Sequence, residues 1–149
     1  MSSFYGEYSY SLDGKNRVFV PARFRDELKK EKETHFMLTI GLDRCLYIFL
    51  PSRWENLLAN NLEAFKSANK EDERAFKRFF FGNAVETPVD EQGRILVPQN
   101  HKAHAFLKKN VIIRGVGNKA ELWDAQRWEN YNKEVARPSF EKFGKIFDL

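Results

Sequence analysis

The chain has 149 residues, of which 42% are hydrophobic and 15% aromatic, with 14 Phe among them. That is enough apolar surface for one ordinary domain, or for two small halves sharing a core, and it excludes a disordered tail. The formal net charge of +4 is compatible with a polyanionic partner without demanding one, and the single cysteine, Cys45, excludes both an intramolecular disulfide framework and a four-cysteine zinc site.

The first residues, MSSFYGEYSYSLDG, have neither a basic segment nor an apolar one of the kind that makes a signal peptide. No apolar run approaches the ~18 residues a membrane helix needs. A cytoplasmic protein is therefore expected. Residues 5–12 carry aromatic and small side chains ahead of turn formers, which suits a strand. Asp13-Gly14-Lys15-Asn16 is a turn, because Asp can bond the backbone that follows it and Gly and Asn tolerate positive φ. Residues 17–20 form a return strand. Pro21 ends that strand and opens a helix over 22–30, at a position where no N–H donor is needed. A second strand pair follows at 36–40 and 46–50, around a turn at 41–44. Cys45 lies in the apolar part of this pair and is expected to be a buried, inert thiol.

A polar stretch with helical patterning runs over 57–82. Glu71, Asp72 and Glu73 precede Arg74, Lys77 and Arg78, the order a helix dipole favours. Phe76, Phe79 and Phe80 are spaced as one helical stripe; Phe76 and Phe79 are expected to face the core, and Phe79, Phe80, Phe81 and the Phe-rich tail are the candidates for subunit interfaces. Gly82 is expected to terminate the helix. Strands at 84–89 and 94–97 then flank the turn Asp90-Glu91-Gln92-Gly93. Pro98 opens a helix to about residue 108, and strands at 111–114 and 119–123 complete the second half. The tail beyond Pro138 carries Phe140, Phe143, Ile146 and Phe147 and reads as a short amphipathic helix that docks on something.

This plan is written twice. LDGKNRVFVP at 12–21 returns as VDEQGRILVP at 89–98, and Arg53-Trp54-Glu55-Asn56 returns as Arg127-Trp128-Glu129-Asn130. Two phrases recurring in one order mean an internal duplication, which decides the fold class. The expectation is a mixed α/β (α+β) protein with a first repeat at 1–60, a connecting helix at 61–82, a second repeat at 83–133 and a tail at 134–149. One hairpin with one helix is too small to bury its own apolar face, so the two repeats should pair into one pseudo-twofold barrel. Each RWEN opens a helix, with Ser52 and Glu55 at capping-box spacing, although Pro51 could equally be the first helical residue. Trp54 and Trp128 are expected to be core anchors.

Asn16 and Gly93 occupy the same place in the two turns, and both residue types accept a left-handed backbone. Two readings of the bracketing Asp and Arg stay open at this point. In one, Asp13 and Asp90 cap the turns and pair with Arg17 and Arg94 for structure alone. In the other, each Asp orients an arginine whose planar fork meets a phosphate or a guanine edge. Lys15 adds a cation to the first turn, whereas Gln92 can only hydrogen-bond, so the first copy should matter more for charge. Arg23, Arg25, Lys29 and Lys30 form a basic helix edge that either lines the same partner or is a solvated face.

The doubled D-x-x-x-R turn, followed each time by a strand and proline and separated by a helical insert, resembles the MraZ proteins of bacteria. The resemblance runs from Tyr8 to about Tyr131. It implies an AbrB-like swapped-hairpin β-barrel with flanking helices, a ring-shaped homo-oligomer and sequence-specific binding of double-stranded DNA. It further implies transcriptional control of the division and cell-wall gene cluster through promoter repeats, in the cytoplasm at the nucleoid. Matched by position, the DNA-contacting Asp and Arg fall on Asp13, Arg17, Asp90 and Arg94, with Lys15, Asn16 and Gln92 in the same turns. Asn16 departs from the glycine common at its position, which leaves room for a small shift of Arg17. The rival reading is an oligomeric scaffold or protein-interaction module with no specific DNA binding. His101 and His104 are a helical pair without the third ligand a zinc site needs. No Ser/His/Asp or Cys/His signature or phosphate loop is written, so no enzyme, cofactor, metal or small-molecule substrate is expected.

Overall fold

The computed structural model of the chain describes residues 3–61 and 63–149; Met1, Ser2 and Leu62, the last within the stretch expected to be helical, lie outside the described residues. The elements follow in the order β1 (Glu7–Ser11), β2 (Arg17–Phe19), α1 (Ala22–Lys30), β3 (His35–Ile40), β4 (Leu46–Phe49), α2 (Pro51–Asn60) and α3 (Lys70–Gly82). Then come β5 (Val85–Pro88), β6 (Arg94–Leu96), α4 (Gln99–His104), β7 (Asn110–Gly115), β8 (Ala120–Asp124), α5 (Ala125–Tyr131) and α6 (Arg137–Phe143). A π-turn at Asn132–Ala136 joins α5 to α6.

Six strands form one antiparallel sheet in the order β1-β7-β8-β4-β3-β5, and β2 pairs with β6 in a separate ribbon. Exchanging the two repeats leaves this order unchanged. The central β4–β8 ladder is centred on Tyr47 opposite Glu121, and the ribbon on Val18 opposite Ile95. A pseudo-twofold axis through those two pairs relates the halves.

The hairpins expected at 5–20 and 84–97 do not form as local pairs. β1 pairs with β7, β5 pairs with β3, and the short strands after the turns pair with each other. Each apolar face is thus covered by the opposite repeat, which is the exchange a swapped-hairpin fold requires. The α+β class and the two-repeat plan stand, but the expected barrel is not closed. β1 and β5 remain at opposite edges of the sheet. The ribbon, three residues per strand, lies against them and is tied by contacts such as Thr87 Oγ1 donating to Leu96 O at 3.1 Å and, at the turns, by Asp13 N donating to Arg17 O and Asp90 N to Arg94 O. Three residues per strand supply too few ladder bonds to join the two edges.

The core lies between ribbon, sheet and α1. Val18, Val20, Phe24, Phe36, Leu38, Leu46, Ile48, Ile95, Ile113 and Leu122 are all buried. Burying each such side chain stabilises the fold by ~1.5–3 kcal/mol before chain entropy is subtracted. Phe4 stacks on Phe24 with ring centroids 4.2 Å apart, holding the start of the described chain on α1. Cys45 is fully buried, and burial pushes its thiol far up from the ordinary value, so it is inert at neutral pH.

Both post-turn helices end in the same way. Glu33 N donates to Leu28 O after α1, and Leu107 N donates to Lys102 O after α4, with Lys32 (φ 58°) and Phe106 (φ 52°) in the left-handed region. These are Schellman closures. The second comes sooner, so α4 stops at His104 rather than near residue 108, and the second repeat is the shorter between its proline and RWEN. Of the two openings read for α2, the one that forms has Pro51 as the first helical residue, and Ser52 donates through Oγ to Glu31 at 2.6 Å.

In α3, Asn69 caps the N-terminus by accepting from Asp72 N at 2.9 Å, and the acidic first turn is as expected. Gly82 is the last helical residue, and Asn83 closes the end. The aromatic stripe corrects the sequence reading. Phe80 stacks on Trp54 at 5.5 Å, but Phe76 and Phe79 remain about half exposed, at 48% and 56%. The helix meets the body over α2 and β3, and Phe79 lies beside the His104 ring of α4 at 6.4 Å, which leaves Phe76 and Phe79 only partly covered. Trp54 is buried as expected; Trp128 is half-buried beneath the Arg114 guanidinium, 4.2 Å from its ring.

Candidate nucleic-acid interface

The two D-x-x-x-R turns fold to the same hydrogen-bond pattern. Asp13 Oδ1 accepts from Lys15 N at 2.9 Å and Arg17 N at 2.8 Å, and its Oδ2 accepts from Arg17 Nε at 2.8 Å. Asp90 Oδ1 accepts from Gln92 N and Arg94 N, and Oδ2 from Arg94 Nε, each at 2.9 Å. The backbone closes alike, with Asn16 N donating to Asp13 O and Gly93 N to Asp90 O, both at 3.0 Å. Asn16 (φ 60°) and Gly93 (φ 90°) supply the left-handed residue that reverses the chain. The asparagine therefore keeps the turn.

Because Nε is tied to the carboxylate, the terminal nitrogens of each arginine take no part in that bond, and they form the edge that suits a bidentate acceptor. The β2–β6 ribbon joins the turns directly. Arg94 Nη1 lies 3.8 Å from Asp13 Oδ2, and the Arg94 guanidinium sits 5.9 Å from the centre of the Phe19 ring. Arg17, Arg94, Asp13 and Asp90 are thus brought together on one outer face, with Lys15 and Gln92 exposed at its margins. Phe19 and Leu96 are exposed on the same ribbon.

Hydrogen bonds from Arg17 N and Arg94 N are the main cause of carboxyl groups held below the ordinary aspartate value in Asp13 and Asp90. Lowered folded pKa values mean that these bonds contribute fully above the unfolded value of ~3.9 and are lost as pH falls through the folded values. In an NMR titration both aspartates are expected to titrate below that reference, with the Arg17 and Arg94 Nε–H signals moving in step. Titration at or above it would show that the pairs do not persist in solution.

Two further cations bear on the turns, each from the helix of the other repeat. Lys102 Nζ donates to Asn16 Oδ1 at 3.1 Å. Arg25 donates through Nε to Val20 O at 3.0 Å and covers Gly93 so closely that a Cβ there would lie 2.7 Å from its Cζ. Asparagine in one turn and glycine in the other therefore match what packs on them. Of the basic edge read from sequence, Arg25 stands at the site; Lys102 was missed. The available signal was its place four residues after Pro98, as Arg25 stands four after Pro21.

His101 is fully buried, with Nε2 2.6 Å from Asn83 O, and burial lowers its basicity. His104 lies 3.1 Å from Gly41 O. Among the described residues no group of three or more His, Cys, Asp or Glu is placed to hold a metal ion. No described helix is long and apolar enough to cross a membrane.

Fold and site together define a class: a pseudo-dimeric α+β protein that sets two identical Asp–Arg turns side by side on an exchanged ribbon. A family model described as "MraZ protein, putative antitoxin-like" matches residues 3–79 and again 80–148. A protein of Alkaliphilus oremlandii named transcriptional regulator MraZ is 47% identical over 131 residues, covering 88% of this chain and 87% of its own. One of the same name from Heliobacterium modesticaldum is 44% identical over 147 residues, 98% of each chain. The chain belongs to the MraZ family.

Proposed function

We propose that the protein is a transcription regulator that binds double-stranded DNA through its two D-x-x-x-R turns. The observation that carries this reading is the pair of turns with one hydrogen-bond pattern, each arginine fixed through Nε by its own aspartate, a bond that leaves its terminal nitrogens unused. A purely structural pair would not need both arginines side by side on one outer face. Arg17 and Arg94 read base edges, and Lys15 contacts the backbone. Asn16 and Gln92 complete the surface, and Arg25 and Lys102 brace it. The target is a set of promoter repeats ahead of the division and cell-wall gene cluster, met in the cytoplasm at the nucleoid by a homo-oligomeric ring. A ring suits weak modules, since several turns on several repeats gain affinity by avidity. No catalytic step, cofactor or small molecule enters this function.

The test is fluorescence anisotropy of the full chain on the region upstream of its own gene, with a scrambled duplex beside it across a salt series. Tighter binding to the native duplex, with log affinity falling by ~0.9 for each phosphate contact per decade of salt, is expected. Equal weak binding to both duplexes would replace this reading by an oligomeric scaffold.

A further inference from the structure

The two repeats carry the same Asp–Arg turn but different charge beside it. Backbone pairing makes the two surroundings comparable residue by residue. Leu12 N, just before the first turn, donates to Lys109 O at 2.8 Å, and Val89 N, just before the second, donates to Thr34 O at 3.0 Å. Ser11 faces Asn110 as Pro88 faces His35. Beside each turn lies a cleft between the chain leaving a post-proline helix and the start of an RWEN helix. Pro51, Ser52 and Glu55 line one cleft as Ala125, Gln126 and Glu129 line the other.

The facing walls have opposite charge. Beside the second turn stand Glu31, Glu33 and Glu86, with His35 4.0 Å from Glu33 and 3.9 Å from Glu86. Beside the first stand Lys108, Lys109 and Asn110. Asp124 also lines that cleft, but it is buried and already accepts from Lys108 N and Arg127 N, each at 3.2 Å. The residues 99–110 include Lys102, Lys108 and Lys109 and no acid, whereas 22–35 set four acids against five cations. Positive charge continues past the first cleft, where the Arg127 and Arg44 guanidiniums lie 4.8 and 5.6 Å from the centre of the Phe106 ring. The turns repeat the contrast: Gly14 and Lys15 stand where the second has Glu91 and Gln92.

We propose that Lys108 and Lys109 hold the phosphate backbone of the duplex beside the first turn, and that the acidic cleft keeps the backbone away from the second. This division of labour rests on the DNA reading of the turns. Both arginines read base edges, while phosphate contact, which sets position and strength without regard to sequence, comes mainly from the first repeat. A group reading bases in a groove ~12 Å wide has a phosphate backbone on either side of it. Both lysines are exposed, and the backbone of Lys109 is one hydrogen bond and one residue from Asp13, so they stand where the backbone of a duplex read by Arg17 runs.

The experiment measures the full chain by fluorescence anisotropy on the native and scrambled duplexes across a salt series. The test variant is Lys108→Gln with Lys109→Gln. The control, Lys29→Gln with Lys32→Gln, removes the same charge from the matching stretch of the other repeat. All four side chains are exposed, and the bonds printed on 108 and 109 by the fold are made by backbone atoms, so the substitutions leave them in place; thermal melting checks the folds. The test variant is expected to reduce the slope of log affinity against log salt by ~1.8 on both duplexes, ~0.9 for each lost phosphate contact, and to keep the preference for the native one. The control should keep the wild-type slope. If the double substitution unfolds the chain, Lys109→Gln alone should reduce the slope by ~0.9. An unchanged slope in the test variant, an equal fall in the control, or a lost preference for the native duplex in the test variant would each overturn the proposal and leave the DNA reading standing. A wild type that binds both duplexes equally weakly would remove the DNA reading, and this division of labour with it.

Discussion

Replacing Arg17 or Arg94 by alanine is expected to lower affinity for the native duplex by ~1–3 kcal/mol each, roughly 5- to 150-fold, while affinity for a scrambled duplex changes far less. The asymmetry follows from geometry. Each guanidinium is held through Nε by its own aspartate, so its loss removes a directed contact rather than a diffuse charge. Arg94 also reaches toward Asp13, so its removal disturbs both turns, whereas removal of Arg17 disturbs one. Arg94→Ala should therefore cost the more, although Lys15 gives the first turn more charge. Competition anisotropy of the folded variants measures this. Equal loss on both duplexes would make the arginines phosphate contacts only, and no loss on either would make them scaffolding.

The second large effect is on stability. Ile95 is 1% exposed and faces Val18 on the pseudo-axis, where ribbon meets core. Ile95→Ala should destabilise the fold by ~2–5 kcal/mol, from lost transfer energy and the cavity left behind. Against a typical total of ~5–15 kcal/mol this is a large fraction. Because the ribbon carries both turns, DNA affinity should fall as well, and the fall should shrink on cooling toward the temperature of maximum stability. Urea unfolding checks the first part and anisotropy at two temperatures the second. A stable variant with weakened binding would show that the ribbon is held from outside rather than by its buried face.

Strand and turn positions and the start of each helix after a proline were legible because they depend on neighbours in the chain, whereas the helix expected over 57–82 is confined to Lys70–Gly82 and the one after Pro98 ends at His104. Pro21 and Pro98 stop a strand and start a helix by their fixed φ, and α1 spans Ala22–Lys30 as the pattern requires. The internal turn geometry was also legible, since Asp, the left-handed residue and Arg all lie within five positions. The duplication gave the pseudo-symmetry, and resemblance to a family gave the exchange of strands. Local pattern alone favoured hairpins that the structure replaces with pairings between repeats.

What the sequence by itself determined, then, is the set of elements, their duplication and the form of each Asp–Arg turn, all fixed by backbone sterics and hydrogen bonds over a few residues. Tertiary structure alone decided which strands pair, that the sheet stays open, that Phe80 is covered while Phe76 and Phe79 are not, and that Lys102 and Arg25 brace the opposite turns. Those outcomes depend on contacts between residues far apart in the chain. Period and propensity say which face of an element is apolar, but only packing says what covers it.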